Sequence, residues 1–323
     1  MTQLATRLCT LGLALVPLFA LAQTAPWPNK PIKAIVPFAA GAATDIVARV
    51  VLTQLSRQLG QPIIVENKPG AGGTIGVSAV AHAEPDGYTI LVHSNSHTVA
   101  PATYKNLNYD AQRDIVGVIP LASVPMVLVT SPQKGVRTLE DLVRQAKAKP
   151  GSMNYVSAGS GGATHLGAER LRISAGFDAT HIPTKGSGEA LTEVMAGRVD
   201  FYFSPIGLAM PHVKTGKLVL LAVSSAKRFS ALPSVPTTLE AGYPNSEYDV
   251  WIAMLAPAKT PSAIIERLND ETAKAIRSPE VKERFATLVM EDMPMSVDQF
   301  SKFLAQDFKL NGELVKAAGV QPN

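Results

Sequence analysis

Val36-Pro37-Phe38-Ala39-Ala40-Gly41-Ala42-Ala43-Thr44-Asp45 is the stretch whose reading decides the fold. The β-branched run at 33–38 reads as a buried strand, followed by a turn of small residues. A helix is predicted over 44–59, because Ile46, Val47, Val50, Val51, Leu55 and Leu59 recur at the spacing of one helical face. Gly60 suits the left-handed residue that ends a helix. Thr44 reads as the cap and Asp45 as a favourable first-turn carboxylate. A helix start carries backbone N–H groups with no intrahelical partner, which suits an anion. A second stretch, Tyr155-Val156-Ser157-Ala158-Gly159-Ser160-Gly161-Gly162-Ala163-Thr164-His165, repeats the theme. The two are expected to face each other across a cleft and hold a carboxylate.

Outward from these turns, the chain alternates strands and helices. Strands are predicted at 62–66, 88–93, 116–121, 127–130, 153–157, 178–182, 200–203, 218–223 and 250–256. Further helices are predicted at 74–82, 138–149, 163–174 and 189–197, and three amphipathic helices, at 262–277, 279–289 and 296–318, close the chain. The alternation implies right-handed crossovers, parallel sheets and an α/β class. The reading divides the chain into lobe 1 (23–124 and 248–323) and lobe 2 (125–247), with a hinge and a central cleft. Open α/β sheets bind ligands beyond the C-terminal ends of their strands.

The 323 residues are 46% hydrophobic and 17% charged, the composition of a folded chain of two domains. The formal charge is +4 without a long basic run, which argues against a nucleic-acid partner. Residues 1–22 read as a secretory signal: Arg7, an apolar run over 11–21, and the small-x-small site Ala20-Leu21-Ala22. Cleavage is expected near Ala22, with export to the periplasm. The only cysteine, Cys9, would leave with that segment, so neither a disulfide nor thiolate chemistry is expected of the mature chain. His93 and His97 with Asp110 or Asp114 do not form a recognised metal spacing.

Several landmarks occur together: Trp27-Pro28-Asn29-Lys30-Pro31, Pro37-Phe38-Ala39-Ala40-Gly41, Val65-Glu66-Asn67-Lys68-Pro69-Gly70-Ala71-Gly72-Gly73, Pro85-Asp86-Gly87-Tyr88-Thr89 and Ala256-Pro257-Ala258. On these the chain resembles the Bug/TctC-type solute receptors of tripartite tricarboxylate transporters. The resemblance implies a type II periplasmic binding protein fold, no catalysis and no cofactor. It implies a monomer that delivers a small organic acid, expected to be a dicarboxylate, to membrane permease subunits. Ligand contacts are carried over to Phe38, Ala39, Ala40, Gly41, Ala43 and Thr44, and to Ser157, Ala158, Gly159, Ser160, Gly161, Gly162 and Thr164. Thr184, Lys185 and Gly186 match a third contact segment. Asp45, Ser94, His165 and Asp200 complete the candidate set. The sequence departs from the family pattern at Ala42, Ala100 and Thr184, where glycine, asparagine and tyrosine are common.

Two other readings differ in function. Ala158-Gly159-Ser160-Gly161-Gly162 approaches the nucleophile elbow of an esterase, with Ser160 as nucleophile and alanine in place of the first glycine. That reading needs an acid and a histidine after Ser160; His165, His181 and His212 are available, but none stands in the usual late position, since no histidine follows His212. A ligand sensor for a membrane kinase would use the same cleft with another partner. Gly70-Ala71-Gly72-Gly73-Thr74-Ile75-Gly76 misses a dinucleotide fingerprint at Ile75 and reads as a structural turn.

Overall fold

The computed structural model describes residues 27–229 and 231–322. The predicted signal segment lies outside them. Among the described residues no helix is long and apolar enough to cross a membrane.

The chain first lays down β1 (Ile32–Val36), α1 (Ala43–Leu59), β2 (Ile63–Asn67), α2 (Thr74–Ala81), β3 (Thr89–Ser94), α3 (Ser96–Thr103) and β4 (Ile115–Val124). It then builds β5 (Met126–Thr130), α4 (Leu139–Ala148), β6 (Met153–Ser157), α5 (Ala163–Ala175), β7 (Ala179–Pro183), α6 (Ser187–Met195), β8 (Phe201–Pro205), α7 (Ile206–Lys214) and β9 (Val219–Val223). It returns through β10 (Val250–Pro257), α8 (Ser262–Ile276), α9 (Pro279–Thr287), β11 (Glu291–Asp292) and α10 (Val297–Ala317). The strands form two sheets, ordered β11-β4-β10-β3-β1-β2 and β7-β6-β8-β5-β9.

Both sheets are mixed. β1 pairs in parallel with β2 and β3, and β6 with β7 and β8. β5 and β10, which carry the chain from one sheet to the other, run antiparallel to their neighbours. The expectation of parallel sheets therefore holds only for the strands joined by crossover helices. A strand that enters from the other lobe has no crossover to set its direction. In β10, residues 251–257 are all buried, as expected of a central strand covered on both faces.

Two helices were not predicted, α3 and α7, and each contains an internal proline, Pro101 and Pro211. Proline removes a helical hydrogen bond and lowers the local preference. Tertiary contacts supply the difference. The Thr98 hydroxyl on α3 donates to Asp307 on α10 at 2.6 Å, and Asn311 donates to Thr98 at 2.9 Å. Ile206 and Ala209 of α7 are buried in the second lobe's core.

The crossings between sheets are tied together at Ser224. Its N–H donates to the Met126 carbonyl at 2.8 Å, and its carbonyl accepts the Tyr248 N–H at 2.9 Å. Its hydroxyl accepts the Met126 N–H at 3.0 Å and donates to Asp249 at 3.1 Å. Burial pushes the Asp249 carboxyl up to about 6, and Glu291 and Glu247 add to the rise. Because the folded chain holds this proton more tightly than the unfolded chain, the stability it contributes is complete below pH 3.8 and is lost as pH rises toward 6. Asp249→Asn is therefore expected to gain on the native chain by ~2–3 kcal/mol between pH 4 and pH 7. Denaturant unfolding of both proteins across that range checks it, and a constant difference would refute it.

Candidate functional site

At the start of α1, Gly41 takes a positive φ of 83°, a backbone conformation that favours glycine. Its N–H donates to Asp45 at 2.9 Å. Asp45 is 2% exposed and also accepts from Asn67 at 2.8 Å and from Arg49 at 3.0 Å. Burial alone would raise its pKa; the bonds from Arg49, Gly41 and Asn67 outweigh it and hold the carboxyl below its ordinary value. Ala42, extended at φ −66° and ψ 156°, is the N-cap, and no side chain caps this helix. Thr44, expected as the cap, lies inside the first turn. The N–H groups of Ala43 and Thr44 have no acceptor among the described residues.

The start of α5 has the same register. Gly161 has φ 74°, and its N–H donates to His165 Nδ1 at 3.0 Å. Gly162 is an extended N-cap at φ −78° and ψ 169°, again with no side-chain cap. Ala163 and Thr164 present N–H groups without an acceptor among the described residues. Gly41 thus corresponds to Gly161, Ala43 to Ala163, Thr44 to Thr164 and Asp45 to His165. What differs is charge: a carboxylate braces the first turn, an imidazole the second.

That imidazole is neutral at pH 7. His165 is 3% exposed, and burial, then the neighbouring His181, bring its pKa down to about 4. The two rings stack with centroids 3.8 Å apart. His181 Nε2 lies 2.7 Å from the Ser157 hydroxyl, which donates to the Gly159 carbonyl at 3.0 Å. Thr164 Oγ1 accepts the Ala158 N–H at 2.9 Å. Beneath the stack, Tyr155 donates to Glu169 at 2.5 Å, and Arg172 forks onto the same carboxylate at 2.9 and 2.8 Å.

A cavity of about 690 Å³ opens beside the α5 turn, within the usual size of a small-molecule site. Ser160, Gly161, Gly162 and His165 line it from the second lobe, with Tyr155, Glu169, Arg172 and His181 behind them. Gly72, Ser96, Thr103 and Tyr104 face them from the first lobe, and Gly319, Val320 and Gln321 close one side. The α1 turn does not line this cavity. It stands beside it through Pro37, against which Gly73, next to the lining Gly72, is packed.

The remaining candidates are dispersed around this centre. Ala39, Ala40 and Gly41 are exposed, and Phe38 sets its edge against His93 at 5.3 Å. Ser94 is buried, its N–H donating to His93 Nδ1 at 2.8 Å and its hydroxyl to Ser96 at 3.2 Å. The Thr184 hydroxyl donates to the Ser157 carbonyl at 2.9 Å and to the Gly186 carbonyl at 3.0 Å, pinning that loop to the end of β6. Lys185 is exposed, and its N–H donates to Glu189 at 3.0 Å. Asp200 is not at this end of the sheet: it pairs with Lys134 at 2.8 Å and accepts the Asn154 N–H at 2.7 Å, beside the start of β6. Ser160 is exposed and has neither nearby histidine, since His165 accepts from Gly161 and His181 bonds Ser157. Tyr155, Glu169 and Arg172 were not anticipated. Their signal is faint, since on α5 and the strand before it they read as ordinary helix and core residues.

Two α/β lobes crossed by paired strands, with a cavity lined from both, are the architecture of periplasmic solute-binding proteins. Within that class, a model described as the tripartite tricarboxylate transporter family receptor matches residues 47–320, and the chain belongs to this family. Protein BugT of Bordetella pertussis (strain Tohama I) is 35% identical over 297 residues, covering 91% of each chain. Among solved structures, a protein of R. palustris with adipate is 29% identical, with a TM-score of 0.75 over 92% of this chain and 100% of that one. MatC from Rhodopseudomonas palustris with bound malate is 29% identical, with a TM-score of 0.71 over 90% of this chain and 100% of that one. The family is one of transporter receptors.

Proposed function

We propose that the protein is an exported receptor that captures a small carboxylic acid, of the dicarboxylate type, between its lobes. Residues 1–22 act as the export signal, cleaved near Ala22. The lobes, 23–124 with 248–323 and 125–247, close about the Ser224 crossing by hinge motion. The loaded monomer delivers its acid to the membrane permease subunits of a tripartite tricarboxylate-type transporter and performs no chemistry on it. The adipate and malate held by two neighbours support an acid with two carboxylates.

One observation carries the reading. Two helix starts in the same register each leave a pair of N–H groups without an acceptor among the described residues. Such an end attracts an anion, although the dipole alone supplies only ~0.3–1 kcal/mol at an exposed position. Hydrogen bonds to a charged acceptor are stronger, ~1.5–3 kcal/mol each, so the four N–H groups of the two turns together come to roughly the ~8 kcal/mol of micromolar binding, which neither pair reaches alone. A thermal-shift panel of organic acids, with adipate and malate in it, tests the proposal. An acid present at a hundred times its Kd should stabilise the folded chain by ~2.7 kcal/mol. No shift across mono-, di- and tricarboxylic acids would overturn the reading.

A further inference from the structure

The cavity beside the α5 turn has a polarity that the two turns alone do not explain. His165 accepts the Gly161 N–H at Nδ1, so the neutral ring carries its proton on Nε2. That N–H has no partner among the described residues, although His165 is only 3% exposed and lines the cavity. Because His165 lines the cavity, this N–H is open to an acceptor from outside the chain, either water or an oxygen of the ligand. Among the described residues, Arg172 is the one guanidinium or ammonium group lining the cavity, and Glu169 already holds it through two hydrogen bonds. A charged group entering here would meet the Glu169 carboxylate and no free cation. An uncharged oxygen meets no such obstacle.

We propose that this cavity is a side pocket of the acid site that takes an uncharged hydroxyl or carbonyl of the ligand, with His165 Nε2–H as its donor. The receptor then selects hydroxy or oxo acids over unsubstituted acids of the same length. This rests on the carboxylate reading, which places the acid against the adjoining Ala163 and Thr164 N–H groups. His165 is thereby the residue that sets specificity, while the turns hold the charge. The equivalent position in the first lobe, Asp45, cannot serve this way, because its acceptor atoms are satisfied by Gly41, Asn67 and Arg49.

Calorimetric titration with matched pairs tests the inference: malate against succinate, lactate against propionate, and 4-hydroxybenzoate against benzoate. The oxygenated member of at least one pair is expected to bind about tenfold more tightly, the worth of one well-placed hydrogen bond. In His165→Asn, whose amide oxygen can replace Nδ1 as acceptor for Gly161, that preference should fall to within about twofold, whichever way the absolute affinities move. A thermal melt of the variant shows whether it is folded. As a second readout, the His165 Nε2 proton in the native protein should exchange more slowly with the oxygenated acid than with its partner. Acids that bind with no preference for the oxygenated member, or a preference unchanged in the variant, overturn the side pocket and leave the carboxylate reading standing. If no acid binds at all, both fall.

Discussion

Replacing Ala163 by proline is expected to weaken carboxylate binding by roughly 10- to 150-fold, the factor of one charge-assisted hydrogen bond, while the fold stays intact. Ala163 is the first residue of α5, the position at which a helix tolerates proline best. Its N–H has no acceptor among the described residues, so its removal breaks no internal bond. The preceding Gly162, at φ −78° and ψ 169°, already has the extended conformation that a residue before proline requires. The substitution thus deletes one N–H from the anion site and little else. Ala43→Pro is the matching change in the first lobe, where Ala42 at φ −66° and ψ 156° meets the same requirement. The second-lobe change should be the more severe, because Asp45 places a negative charge at the α1 turn and a neutral His165 stands in that position at α5. Titration of both variants with the best acid from the panel, with thermal melts as control, checks the order. Two variants that bind as the native chain does would contradict it.

Asp307→Ala is expected to cost ~2–4 kcal/mol of stability, through donors left without an acceptor. Asp307 Oδ2 accepts from Thr98 at 2.6 Å, Trp251 Nε1 at 3.0 Å and Asn311 at 3.0 Å, joining α3, β10 and α10 at one carboxylate. Thr98 has a second acceptor in the Asn95 carbonyl at 2.9 Å, and Asn311 keeps its bond to Thr98. The indole of Trp251, 2% exposed, has no such alternative, and its side of the loss dominates. Asp307→Asn retains an acceptor oxygen and should cost about half as much. Because α3 supplies Ser96 and Thr103 to the cavity wall, the alanine variant should also bind its acid more weakly. Urea denaturation with and without the acid measures both effects. A native midpoint in the alanine variant would show that α3 is held by something else.

The legibility of the chain follows from which forces act locally. The strand-turn-helix units at 36–45 and 155–165 could be read because their periodicity, small turn residues and helix starts lie close together in sequence. α3 and α7 could not, since Pro101 and Pro211 oppose helix locally and the compensating contacts are tertiary: for α3 they include Asp307, about two hundred positions away, and for α7 the second lobe's core. The direction of β5 and β10 was hidden for a related reason, because it depends on how the chain enters a sheet and not on the strand's own residues. At the site, the glycines announced their turns, but the partners of the glycine N–H groups did not. Asp45 reads equally well as a ligand contact, yet three neighbours occupy its oxygens. Asp200 reads as a strand start near the cleft, but in a strand the start and the C-terminal end lie on opposite sides of the sheet. His165 looked like a helix-start histidine, and only its stack on His181 and its bond to Gly161 reveal the fixed tautomer.

Amide resonances report most directly on whether main-chain nitrogens hold the anion. In a ¹⁵N-labelled sample titrated with the acid that gives the largest thermal shift, the amides of Ala43, Thr44, Ala163 and Thr164 should move most and move downfield, as N–H groups do on meeting a carboxylate. If the acid binds while these four amides stay in place and the perturbation gathers around lysine or arginine side chains, then charged side groups hold the ligand and the two helix starts do not.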